Sequence, residues 1–223
     1  MSISAESVKE LLSSDKLGDR LRAVNQIREL EPKTGLELVQ VAIRDKNSRV
    51  RYSAVSQMDT LGEQDLDLSL QILRELLTDP EADVQAAAAD CLGALKLQAA
   101  FEDLQELYHQ TPEWLVQFSI IATLGALGDP RGFELLKQAL ASDNGLVQTA
   151  AISSLGELGN PDAVSLLATY STNSDWQVRY RVVQALGNLG GAEAKAILET
   201  LVNDEVEAVA KEAKRASPKL TIS

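Results

Sequence analysis

The stretch Trp176–Gly190, WQVRYRVVQALGNLG, carries the pattern that decides the fold. Val178 is followed by Val182, Val183, Leu186 and Leu189, apolar positions at +4, +5, +8 and +11. That spacing lays one apolar stripe along a helix and does not match the alternation of a strand. Working outward, the pattern recurs in GLVQTAAISSLGELG from Gly145, WLVQFSIIATLGALG from Trp114, ADVQAAAADCLGAL from Ala82 and SRVRYSAVSQMDTLG from Ser48. The anchor valines Val50, Val84, Val116, Val147, Val178 and Val209 stand 34, 32, 31, 31 and 31 residues apart. One more copy, AVNQIREL from Ala23, precedes AVSQMDTL from Ala54 by 31 residues and has Asp19 at its anchor position. A unit of this length cannot bury its stripe alone, so neighbours must stack into one continuous core.

A second helical pattern lies ahead of each anchored helix, as in GLELVQVAIRD from Gly35, RGFELLKQAL from Arg131 and DAVSLLATY from Asp162. Asp79-Pro80, Thr111-Pro112, Asp129-Pro130 and Asn160-Pro161 each predict an N-cap oxygen followed by proline at the first helical position. Thr34 to Glu37 reads as a capping box. Gly62, Gly128, Gly159 and Gly190 follow anchored helices, where a left-handed residue is expected. The sequence therefore predicts an all-α solenoid of about seven stacked helical hairpins in one curved superhelical domain, residues 1–223. The repeats fall near 5–31, 34–62, 65–96, 98–128, 130–159, 161–190 and 192–216.

Composition bounds the function. A net charge of −12 opposes general attraction to nucleic-acid phosphates or anionic membranes. The longest uncharged run, Trp114 to Gly128, is too short for a membrane span. The N-terminus has no basic and apolar leader pattern, and Cys91 is the only cysteine. A cytoplasmic protein without disulfides is expected. With His109 the only histidine, no metal site is expected. No phosphate-binding, dinucleotide or hydrolase motif occurs, so whether the chain is an enzyme stays open.

Asp175-Trp176-Gln177-Val178-Arg179 and the exit Leu124-Gly125-Ala126-Leu127-Gly128-Asp129-Pro130 resemble the short HEAT-type repeats of phycobilin lyases. The runs Arg49–Gly62, Asp79–Leu97 and Thr111–Gly125 are similar to the lyase-like branch of that family which acts in phycobilisome degradation. The resemblance implies a HEAT-type α-solenoid that binds phycobiliprotein subunits and promotes detachment of their covalently bound linear tetrapyrrole. The bilin would then be substrate or ligand, and no cofactor is implied. It brings no catalytic residue to carry over. The alternative is a non-catalytic HEAT-repeat adaptor for antenna disassembly, since solenoids commonly act as interaction modules.

Candidate binding residues follow from the register. Tyr52, Phe118 and Tyr180 stand two after an anchor, and Trp114 and Trp176 two before one. These positions lie ~160–200° from the anchor, so they are expected on the groove side of the anchored helices. There they either form an aromatic row for a flat ligand or apolar partner, or plug gaps between hairpins. Arg49 and Arg181 are expected to face the groove and pair with carboxylates, whereas Arg51 and Arg179 are expected in a structural ladder with Asp or backbone carbonyls. Asp90 is a weak candidate for proton transfer toward a pyrrole nitrogen. Cys91 is either a small core residue or, with exposure and a lowered pKa, a thiol that receives the bilin.

Overall fold

The computed structural model describes residues 3–217, which are helical throughout their regular structure, with no strand. Seven helical pairs follow one another. They are α1 Ala5–Leu12 with α2 Leu17–Ile27, α3 Pro32–Ala42 with α4 Ser48–Val55 and α5 Met58–Leu61, and α6 Leu66–Leu76 with α7 Ala82–Ala94. Next come α8 Phe101–Gln110 with α9 Trp114–Leu127, α10 Phe133–Ala139 with α11 Gly145–Leu158, and α12 Ala163–Ala168 with α13 Trp176–Leu189. The last pair is α14 Gly191–Leu201 with α15 Glu207–Ala216. The chain divides into two compact units, Met1–Ile120 and Ile121–Ser223.

The anchors are core residues. Val50, Val84, Val116, Val147 and Val209 are inaccessible, and Val178 is buried with them. Their +4 and +5 partners, such as Ala54 with Val55 and Ile120 with Ile121, are equally buried. Burial of these stripes is the main force holding hairpin to hairpin, at about 25 cal/mol for each Å² of apolar surface removed from water.

Close packing uses two further columns. At +7 from each anchor stand Gln57, Cys91, Thr123, Ser154, Ala185 and Ala216, all buried. At +9 stand Gly93, Gly125, Gly156 and Gly187, each one repeat before a small +7 residue. A Cβ on Gly125 would lie 2.8 Å from the Ser154 Cα, and one on Gly156 would lie 2.6 Å from the Ala185 Cα. Glycine is required there because the next helix occupies the space of a side chain. The second repeat departs from the rule: Asp59 holds the +9 position, and the anchored helix breaks into α4 and α5 just before it.

Helix ends correct several sequence expectations. Gly128 and Gly159 have φ of +64° and +75°, as left-handed caps require, whereas Gly190 combines φ of +70° with an extended ψ of −165°, a conformation open to glycine outside the left-handed cap. Gly62 does not: its φ is −64°, and it begins a 3₁₀ turn. In the third repeat Lys96 takes the left-handed conformation, with φ of 56°. Of the four expected proline starts, only Asp129-Pro130 places proline in the first turn, a 3₁₀ turn in which Asp129 accepts from the Arg131 N–H. At Asp79, Thr111 and Asn160 the side-chain oxygen accepts from the N–H two residues on, and the helix starts beyond that turn. The Thr34–Glu37 box is replaced by Glu31, which caps α3 through the Thr34 N–H, with Pro32 at the first position.

The arginine ladder is present and extends further than expected. At +1 stand Arg20, Arg51, Gln85, Gln117, Gln148 and Arg179. Each donates to a carbonyl of its own interhelix loop: Ser14, Asp45, Asp79, Thr111, Leu140 and Asn173 respectively. Each arginine also grips an aspartate in the next loop. The pairs are Arg20–Asp45, Arg51–Asp79 and Arg179–Asp204, each 2.7 Å at the closest approach and nearly buried on both sides. Where the rung is glutamine, the next loop offers Thr111, Ser142 or Asn173 instead of aspartate. Whatever its charge, that loop residue accepts from the N–H two residues ahead and so sets the turn into the anchored helix.

Candidate functional site

The same face of α4, α7 and α9 that lies away from the anchors opens a cleft of roughly 570 Å³ in the first unit. Tyr52 of α4 forms one wall, 47% exposed. The floor is methyl-lined by Ala86, Ala87 and Ala94 of α7, and Leu115 and Ser119 of α9 close the far side. Three carboxylates, Asp59, Asp83 and Asp90, stand around it. Asp59 reaches this place because it holds the +9 position, where a glycine elsewhere lets the helices close. The cleft therefore sits where the repeat rule is broken.

Asp90 is open to solvent yet stands among the walls of a concave surface. Partial burial pushes its carboxyl above the ordinary aspartate value, and the facing Ser119 hydroxyl opposes that shift. Such a carboxyl can accept a hydrogen bond or hold a proton closer to neutral pH than a surface aspartate. Cys91 lies at the edge of the cleft but is 3% exposed, and its Sγ donates to the Val55 carbonyl at 3.2 Å. Burial, with Asp59 and Asp90 nearby, pushes its thiol up to about 12. It is a small +7 packing residue, and the expectation of a reactive thiol is corrected: both exposure and a lowered pKa are missing.

A second depression of roughly 350 Å³ adjoins the same tyrosine. Leu21, Ser48, Arg49, Tyr52, Ser53 and Asp83 line it, so Tyr52 and Asp83 belong to both. In the second unit a separate polar depression of roughly 250 Å³ holds Arg181 with Glu157, Gln184, Asn188 and the Glu212–Arg215 pair. Arg181 also donates to Gln184 at 3.2 Å.

The structure thus joins Arg49 with Tyr52, and Tyr52 with Asp90 and Cys91, inside the first unit. Arg181 lies in the second. Trp114 and Trp176 are 45% and 41% exposed, while Phe118 and Tyr180 are half-buried; none of the four lines these depressions. Asp59, Asp83 and Ser119 were not singled out from the sequence. Asp59 had a signal, since it breaks the glycine column; Asp83 and Ser119 had none beyond the shared face.

The sequence profile of HEAT repeats matches at residues 5–84, 70–156 and 133–217. No curated protein sequence matches significantly. Among solved structures, the complex of CpcE and CpcF of phycocyanin lyase from Nostoc sp. PCC7120 aligns over 99% of this chain and 96% of that one, at 21% identity and TM-score 0.65. The Escherichia coli protein YIBA aligns over 98% and 81%, at 16% identity and TM-score 0.73. An archaeal HEAT-like repeats protein from Thermococcus onnurineus NA1 aligns over 99% and 98%, at 17% identity and TM-score 0.60. At these identities the likeness is one of fold.

Proposed function

The chain belongs to the HEAT-repeat family, and we propose that it is a phycobilin-handling member of it, similar to the cyanobacterial phycobilisome degradation protein NblB. It binds phycobiliprotein subunits and promotes detachment of their covalently held bilin. The observation that carries this reading is the Tyr52–Asp90 cleft: an aromatic ring and alanine methyl groups beside carboxylates able to accept from pyrrole N–H groups. The likeness in fold to a phycocyanin lyase and the quoted repeat motifs support the same ligand class. With Cys91 buried and raised, the cleft has no thiol to receive the bilin, so the action rests on differential binding. Contacts that favour a strained or released bilin over the protein-held one weaken the attachment.

The test mixes the purified chain with chromophorylated phycocyanin and follows the visible spectrum and zinc-stained bilin on a denaturing gel. Loss of covalent bilin with turnover is the expected result. Stable co-migration with unchanged covalent bilin instead identifies an adaptor for antenna disassembly. No interaction removes the pigment reading altogether. The adaptor reading draws on the burial of Cys91, which leaves no accessible thiol among the cleft residues.

A further inference from the structure

Tyr52 is the one aromatic side chain shared by the two depressions of the first unit, and Asp83 lines both beside it. On its Asp90 side the cleft presents three carboxylates, Asp59, Asp83 and Asp90, and no cationic side chain. On its other side stands Arg49, an exposed guanidinium, and it is the only cation that lines either depression. No hydrogen bond or ion pair of the Arg49 side chain occurs among the described residues. Ala86, Ala87 and Ala94 add only methyl groups to the lining of the cleft.

We propose that this arrangement orients a flat, conjugated ligand: its N–H-bearing or cationic edge lies over Asp90, and its acidic substituents reach past Tyr52 to Arg49. The inference rests on the bilin-handling reading and adds the direction in which the ligand lies. Three carboxylates repel an acidic substituent from the cleft, while they accept hydrogen bonds from pyrrole nitrogens. An exposed tyrosine ring supplies the stacking edge between the two ends. The depression in the second unit lacks this order. Its arginines are interleaved with Glu157 and Glu212, Arg215 is held by Glu212 at 2.5 Å, and no aromatic ring lines it.

The test titrates the full chain with biliverdin and, separately, with its dimethyl ester, reading induced circular dichroism in the visible band at neutral pH. Arg49→Gln is expected to weaken biliverdin about tenfold, the scale of one charge-assisted hydrogen bond, and to leave the diester unchanged. Arg49→Lys should recover part of the loss. Asp90→Asn is expected to weaken both ligands alike, by about tenfold on the same basis. Arg181→Gln should leave both titrations as in the wild type. Arg49 and Asp90 are exposed, so the variants are expected to keep the wild-type far-ultraviolet spectrum, which is recorded alongside. The proposal is overturned if Arg49→Gln affects acid and diester equally, if Asp90→Asn binds as tightly as wild type, or if the wild type binds neither. Its fate is separable from that of the proposed function. A chain that orients biliverdin as described yet leaves phycocyanin untouched keeps this inference and loses the other. One that detaches bilin while both variants bind normally does the reverse.

Discussion

Lys96 is the residue at which this chain pays most visibly for departing from its own repeat. Its φ of 56° places an L side chain in the left-handed cap that Gly128 and Gly159 fill elsewhere. Only glycine reaches that region without a steric penalty from Cβ. Lys96→Gly is therefore expected to stabilise the protein by roughly 0.5–1 kcal/mol, read as a higher urea midpoint with an unchanged slope. A lower midpoint would show that the lysine side chain contributes more than the strain removes. The opposite change, Gly128→Ala, is expected to cost about 1 kcal/mol. Residue-scale reading from sequence reached the two glycine caps because glycine at a fixed offset has one common cause. It missed Lys96, since nothing in a lysine announces a positive φ, and it misassigned Gly62, whose offset is right but whose backbone continues in a 3₁₀ turn.

Between elements, two columns decide how one anchored helix lies on the next. Gly125 and Gly156 meet Ser154 and Ala185 at separations that exclude a side chain, so Gly156→Val is expected to cost about 1–3 kcal/mol by overpacking against Ala185. Calorimetry distinguishes this from a cap effect, because Gly156 needs no positive φ. The +1 rungs make a sharper case. Arg51→Gln alone leaves Asp79 nearly buried without its counter-charge and is expected to cost about 3–5 kcal/mol. Arg51→Gln with Asp79→Thr gives these positions the residue types of Gln85 and Thr111, a glutamine bonded to its own loop and a neutral residue that still sets the next turn, and should recover most of that loss. Equal destabilisation by the single and double changes would sink the pairing rule. The arginine rungs were legible from sequence as a ladder. The glutamine rungs were not, because their partners are carbonyls of their own loops, and no residue pattern marks a carbonyl as an acceptor. For the candidate site, Arg49, Tyr52 and Asp90 were reachable from their offsets around the anchor. Trp114 and Trp176 are exposed but line none of the depressions described above, because an exposed position on a helix does not by itself tell which neighbouring helix closes a cleft beside it.

Across the whole molecule, a repeat array behaves as a sum of local stabilities, so unequal rungs imply unequal repeats. Charged rungs join repeats one to two, two to three and six to seven, while Gln85, Gln117 and Gln148 at the same position bond only carbonyls of their own loops. This distribution has a consequence in acid. Burial raises Asp79, but the Arg51 hydrogen bonds and the Glu81 N–H outweigh it and hold its carboxyl below the ordinary value. The Arg179 hydrogen bonds lower Asp204 against the opposing effect of burial, with help from the Val206 N–H. A carboxyl lowered in the folded state contributes stability that is fully present above its unfolded pKa, about 3.9. That contribution is lost as pH falls through the folded value. Between pH 6 and pH 3, amide exchange corrected for its intrinsic rate should therefore lose protection first in α4 and α7 and in α13 and α15, with α9 and α11 following. In the Arg51→Gln, Asp79→Thr double variant the acid sensitivity of α4 and α7 should largely disappear, while that of α13 and α15 remains. Uniform loss of protection along the chain would instead mean that acid acts through the overall change in charge, from −12 toward positive values, and not through the rungs.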